Sequence, residues 1–138
     1  MSETNPMTPP GTGSFSWNEL ITSNVEASGT FYRQLFGWEV ALFPRPEGSP
    51  EMPPYFLFKS SANPMGAGGM MQAMHPDMPT HWLPYVVVEN ADVSLAKAVE
   101  LGAKVCLPVT AVPNVGRIAC ILDPQGATIG FHELPKSA

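Results

Sequence analysis

Glu19 and His132 are the two residues of this chain whose types and neighbours suit acid–base chemistry. Glu19 lies in Phe15-Ser16-Trp17-Asn18-Glu19-Leu20-Ile21-Thr22, a run that reads as a strand. Side chains two apart on a strand share a face, which puts Glu19 and Ile21 beside Trp17. By the same period His132 shares a face with Gly130 in the run Thr128 to Glu133. Burial in an apolar cleft raises a carboxyl pKa, and a histidine near it completes an acid–base pair or a metal site. The competing reading pairs Glu19 with a basic residue such as Arg117, or with water, and leaves His132 solvated. His75 and His81 stand near prolines and are expected in loops. The serines and cysteines lack a recognisable His and Asp context for a nucleophile triad. Gly66 to Gly69 lack the Lys-Ser/Thr of a phosphate loop and instead suit close backbone approach in a sheet.

The elements that position these residues occur twice. A tryptophan-led strand, a helix and a glycine recur 65 residues apart (82 − 17 = 65), with Trp17 on Trp82, Gly37 on Gly102 and Val40 on Val105. In the first copy Ser23 or Asn24 caps a helix with the apolar stripe Val25, Phe31, Tyr32, Leu35 and Phe36, stopped by Gly37. Strands are expected at Trp38 to Phe43, Tyr55 to Lys59 and Gly66 to Gln72, with Pro44 to Pro54, Asn63-Pro64 and His75 to Pro79 as loops. In the second copy a strand at Tyr85 to Val88 precedes a helix capped by Asn90 or Asp92 and carrying Val93, Leu95, Ala96, Val99 and Leu101. Lys104 to Leu107 is a strand, and Arg117 to Leu122 with Thr128 to Glu133 form a hairpin around Asp123-Pro124-Gln125-Gly126. The fold class expected is α+β: two βαβββ modules, about 14–74 and 80–134, paired into one domain over 14–134 with a concave cleft. Residues 1–13, rich in Pro, Thr and Gly, are expected as a disordered tail.

With 138 residues, 44% hydrophobic and 14% charged, the chain can bury a core as a single domain. A net charge of −5 without a basic cluster argues against nucleic acid or an anionic membrane as partner. No apolar run reaches the ~20 residues of a membrane span, and the first thirteen residues do not read as a secretory signal. A cytoplasmic location is expected. Cys106 and Cys120 lie symmetrically about Pro113-Asn114, so a cross-strand meeting is geometrically open, but buried reduced thiols are the expectation in the cytoplasm.

The motifs Phe31-Tyr32-Arg33-Gln34-Leu35-Phe36-Gly37-Trp38, Val99-Glu100-Leu101-Gly102-Ala103, Gly116-Arg117 and Asp123-Pro124-Gln125-Gly126-Ala127 are those in which the chain resembles the vicinal oxygen chelate superfamily, the glyoxalase, bleomycin-resistance and extradiol-dioxygenase group. The resemblance covers Ser14 to Glu133 and implies paired βαβββ modules, often a homodimer, and in the enzymes a divalent metal in the cleft. It implies ligands from a His or Gln in each first strand and a Glu in each last strand. The matching positions here are Trp17, Trp82 and Gly130, and no Asp or Glu lies between Lys59 and Asp77. Indole and glycine cannot ligate, so no metal is expected; a displaced Glu19–His132 site is the alternative. Two indoles then line the cleft, which suits a planar or apolar small molecule, with Trp17, Glu19, Ile21, Met70, Trp82, Val86, Gly130 and His132 as its contacts. Alternatively the tryptophans fill the space as core. Met65, Met70, Met71, Met74 and Met78 suit an adaptable wall or packing. Three functions compete: metal-independent binding of a small molecule, a lyase, isomerase or dioxygenase using Glu19 and His132, and a non-catalytic dimeric interaction module.

Overall fold

Asn24 starts the first helix because its side chain can hold a backbone donor that no helical carbonyl reaches. In the computed structural model, which describes residues 11–44, 47–48 and 51–136 (63–65 as backbone only), its Oδ1 accepts from Ala27 N at 2.9 Å. Gly37 ends the same helix in the left-handed region (φ 73°), with its N–H on Arg33 O at 2.9 Å. Asn90 repeats the device at the second helix, accepting from Val93 N at 3.1 Å. Gly102, at φ 104°, follows that helix's cap residue Leu101.

These punctuation marks bound β1 (Phe15–Thr22), α1 (Val25–Phe36), β2 (Glu39–Leu42), β3 (Tyr55–Ser60), β4 (Asn63–Gln72), β5 (His81–Val87), α2 (Ala91–Glu100), β6 (Lys104–Val112), β7 (Gly116–Leu122) and β8 (Thr128–Glu133). The order is βαβββ twice, as the repeat implied. In the first module the strands run β2-β3-β4-β1, with β1 parallel to β4; in the second they run β6-β7-β8-β5, with β5 parallel to β8. Three expectations are corrected. Asn63-Pro64 begins β4 instead of forming a loop, and His81 opens β5, its ring on the Pro79 carbonyl at 2.7 Å. Cys106 is exposed, although Cys120 is buried and both are free thiols.

The described residues divide into two compact units, Trp17–Leu83 and the residues up to Ser16 with those from Pro84. Phe15 and Ser16 fall in the second unit with the stretch before them, where Gly13 N donates to Val87 O and Val87 N to Ser14 O, each at 2.8 Å. The tail expected over 1–13 lies, for residues 1–10, outside the described residues, as do 45–46 and 49–50 of the proline-rich loop.

In the first unit α1 lies on a core of Leu20, Phe58 and Met70, joined by Val25, Tyr32, Trp38, Val40 and Phe56. The apolar stripe on α1 splits there. Val25 and Tyr32 face the core, whereas Phe31, Leu35 and Phe36 are 56%, 57% and 57% exposed. In the second unit α2 packs on β6, β7 and β8, and its Val93, Val99 and Leu101 are likewise exposed.

Candidate functional site

β1 presents Leu20 and Thr22 to the α1 side and Glu19 to the other. Glu19 is 8% exposed, and its parallel register partner on β4 is Gly69. The Tyr55 ring reaches across from β3 and lies over Gly69, where any Cβ would collide with the phenol. Its hydroxyl donates to the Glu19 carboxylate and accepts the Trp17 indole N–H at 2.7 Å. Burial, and then the negative charge of Glu19, push the Tyr55 phenol well above its usual range. Trp17 and Glu19 therefore do share a face, and a third residue joins them. Gly66 and Gly68 complete the fit: a Cβ on Gly66 would stand 3.0 Å from the Trp17 ring, and one on Gly68 2.8 Å from the Asn18 carbonyl.

In the other unit His132 is held at both ring nitrogens. Nε2 lies 2.7 Å from Val115 O and Nδ1 lies 3.0 Å from Ser16 Oγ. A carbonyl only accepts, so Nε2 carries a proton, and in the neutral ring the Ser16 hydroxyl donates to Nδ1. Gly130 pairs with Tyr85, whose ring covers it; a Cβ there would meet ring carbons at 2.5 Å. Arg117 binds Glu133 (Nη2–Oε1 2.6 Å, Nε–Oε2 3.1 Å) and Asp92 (2.6 Å), so these carboxylates, and not Glu19, are its partners. Glu133 also accepts from Ala91 N at the start of α2, at 2.8 Å. The guanidinium first, and that backbone donor second, hold Glu133 below the usual carboxylate range.

Other expected contacts fall elsewhere. Trp82 stacks edge-on against Tyr32, donates Nε1 to its hydroxyl at 3.2 Å and lies near Phe58, on the α1 side opposite Trp17. The 65-residue offset thus matches letters but not faces. Met70 is 1% exposed and belongs to the core under α1, which leaves no side-chain surface for a ligand. Ile21 is half-buried on the Glu19 face and pairs with Met71 of β4. Val86 pairs with Phe131, one residue out of phase with Gly130. Tyr55 and Ser16 are the partners that sequence reasoning missed. The only signal for Tyr55 was the glycine run, which says that something approaches closely without saying what.

Two βαβββ modules with this strand order define the class. The chain belongs to the vicinal oxygen chelate superfamily, the glyoxalase and extradiol-dioxygenase fold group. No family model matches it. It is 34% identical over 116 residues to CFP32 of Mycobacterium tuberculosis, named as a candidate glyoxylase, covering 84% of this chain and 42% of that one. It is 30% identical over 128 residues to the anthracycline biosynthesis protein DnrV of Streptomyces peucetius, covering 83% and 45%. The chain thus spans less than half the length of these relatives. Among solved structures, methylmalonyl-CoA epimerase of Streptomyces coelicolor is similar at TM-score 0.58 and 15% identity, covering 91% of this chain and 100% of that one. Homoprotocatechuate 2,3-dioxygenase of Brevibacterium fuscum is similar at TM-score 0.59 and 17% identity, covering 96% and 40%. These structural likenesses show the fold.

The donor set does not fit the superfamily's metal. Trp17 offers no ligating atom, and the Gly130 position is covered by Tyr85. Among the described residues no three His, Cys, Asp or Glu side chains group to hold an ion. No helix among them is long and apolar enough to cross a membrane.

Proposed function

We propose that the chain binds a small, aromatic or apolar molecule on the first module's sheet face, against Trp17, Glu19, Ile21 and Tyr55, without a metal. One observation carries this reading: a nearly buried carboxylate joined through Tyr55 to an indole, on the sheet face that α1 leaves uncovered. Apolar and aromatic walls with a few fixed polar groups are what small-molecule sites are made of. The DnrV relative is named for anthracycline biosynthesis, so planar polycyclic aromatics head the ligand panel. Calorimetric titration tests the reading. Binding by the unaltered protein and at least tenfold weaker binding by Glu19→Gln are expected; equal binding by both would remove Glu19 from the site.

A second reading, favoured by the Glu19–Tyr55 hydrogen bond, is proton transfer by Glu19 in a lyase or isomerase reaction. The name of CFP32 supports trying glyoxalase-type substrates. Turnover abolished by Glu19→Gln, with binding retained, supports it; turnover that survives the substitution contradicts it. His132 lies in the other unit and is engaged by Ser16 and Val115. We further read the protein as a cytoplasmic homodimer; its two free thiols suit a reducing compartment.

A further inference from the structure

Ser16 and His132 form a pair that the Glu19 face does not use, and both belong to the second unit. Ser16 stands near the start of β1 and His132 near the end of β8, each half-buried, with Ser16 Oγ 3.0 Å from Nδ1. The other ring nitrogen lies 2.7 Å from Val115 O. That carbonyl fixes the tautomer of the neutral ring: the proton stays on Nε2, and the Nδ1 lone pair meets the Ser16 hydroxyl. A hydroxyl, a neutral imidazole and an acceptor behind the imidazole are the parts of an activated nucleophile. Here the acceptor is a backbone carbonyl. The turn that presents it is tightly determined. Val115 N donates to Val112 O at 3.0 Å, and Asn114 is in the left-handed region at φ 67°, the one non-glycine residue with positive φ among the described residues. Gly116 follows at φ 117°, where a Cβ would collide with the Glu133 carbonyl. Glu133, next to His132, is itself held by Arg117 and by Ala91 N. Left-handed backbone at a non-glycine residue persists where its surroundings over-determine it, and such positions cluster at active sites.

We propose that Ser16 is a nucleophile and His132 its general base in the hydrolysis of carboxylic esters, at a site separate from the Glu19 face. The Ser16 proton passes to Nδ1 of His132 as Oγ bonds to the ester carbonyl carbon. The bond from that carbon to the leaving oxygen then breaks, and the leaving oxygen takes the proton from Nδ1. Water attacks the acyl-serine and gives a proton to Nδ1; the bond to Oγ breaks, and Oγ recovers the proton. Ester and water enter, carboxylic acid and alcohol leave, and the balance needs no other reactant. Esters of phenols fit best, because a phenolate departs readily and asks little of groups beyond this pair.

The full chain with p-nitrophenyl acetate tests this, with Ser16→Ala and His132→Gln as variants. Ser16→Ala removes only a hydroxyl, and the glutamine amide both accepts and donates but is no base; circular dichroism checks that each variant folds. The unaltered protein is expected to release p-nitrophenolate and to carry an acetyl group on Ser16 when quenched in acid and mapped by peptide fragmentation, which separates Ser16 from Ser14. Each variant is expected to slow release by about a hundredfold or more. Background acetylation of His75, His81 and the lysines persists in both variants and so cannot mimic the loss. A fluorophosphonate, whose phosphorus bonds to Oγ as fluoride leaves with the proton, is expected to label Ser16 of the unaltered protein, a readout that needs no variant. Release that either folded variant retains in full overturns the proposal. So does acetyl or phosphonyl found only at other residues, or a folded protein that neither releases p-nitrophenolate above background nor takes the label.

Discussion

The indole N–H of Trp17 ends on the hydroxyl of Tyr55, 2.7 Å away. That hydroxyl accepts the indole N–H on one lone pair and donates its single proton to Glu19. Two residues of β1, separated by one position, are thereby fixed by one side chain from β3. The glycine at position 69 is what lets the phenol lie there. The result is an acid placed in aromatic surroundings with its hydrogen-bonding direction already set, an arrangement that would lower the ordering cost of the proposed binding.

Tyr55 is expected to keep its proton in alkali where an ordinary tyrosine, with pKa 10.0, has lost it. Absorbance at 295 nm follows the ionisation, and Tyr55→Phe removes the late step. Glu19→Gln is expected to lower that step without returning it to 10.0, because burial is the larger cause. The folded state binds this proton more tightly than the unfolded one. Its contribution to stability is therefore complete below pH 10.0 and lost as pH rises toward the folded value. A step at the ordinary position in the folded protein would contradict the arrangement.

Gly130→Ala and Gly69→Ala each set a methyl group against a tyrosine ring. Each is expected to destabilise the protein by about 1–3 kcal/mol, the usual cost of overpacking. Denaturant unfolding measures this. Gly11→Ala is the control for the loss of a glycine outside any close contact, since open space surrounds it and its φ is not positive. If Gly130→Ala costs no more than that control, the Tyr85 ring does not occupy the site.

What was legible in the sequence was whatever local chemistry decides. Asn24, Gly37 and Asn90 act within four residues of themselves, and β1 and β8 have the bounds that their patterns gave. The face of Glu19 followed from period two. What failed depended on partners distant in sequence. Tyr55 reaches Trp17 across 38 positions and Ser16 meets His132 across 116, and no spacing rule links them. Trp82 was aligned with Trp17 by letter, but side-chain alternation makes a one-residue slip reverse the face. The stripe of α1 was visible as apolar, yet helix periodicity does not say how much of a stripe the sheet can cover.

Glu133→Gln is expected to lower Tm by roughly 5 °C at neutral pH, since it removes the carboxylate that Arg117 and Ala91 N–H share. Its folded pKa lies below the ordinary 4.5, so the stabilisation is complete above 4.5 and is lost as pH falls through the lower folded value. The gap in Tm between the two proteins should therefore close on acidification below 4.5. A gap that is constant with pH would mean that the charge of Glu133 does not matter.

The most direct test of the proposed site uses Trp17 as its own reporter. In a protein with Trp38 and Trp82 replaced by phenylalanine, Trp17 is the sole indole, and planar aromatic ligands are expected to quench its emission saturably. The matching protein that retains only Trp82, on the α1 side of the sheet, should show no saturable quenching. Saturable quenching of Trp82 alone, or of neither indole by any ligand that calorimetry shows to bind, would contradict a site on the Glu19 face.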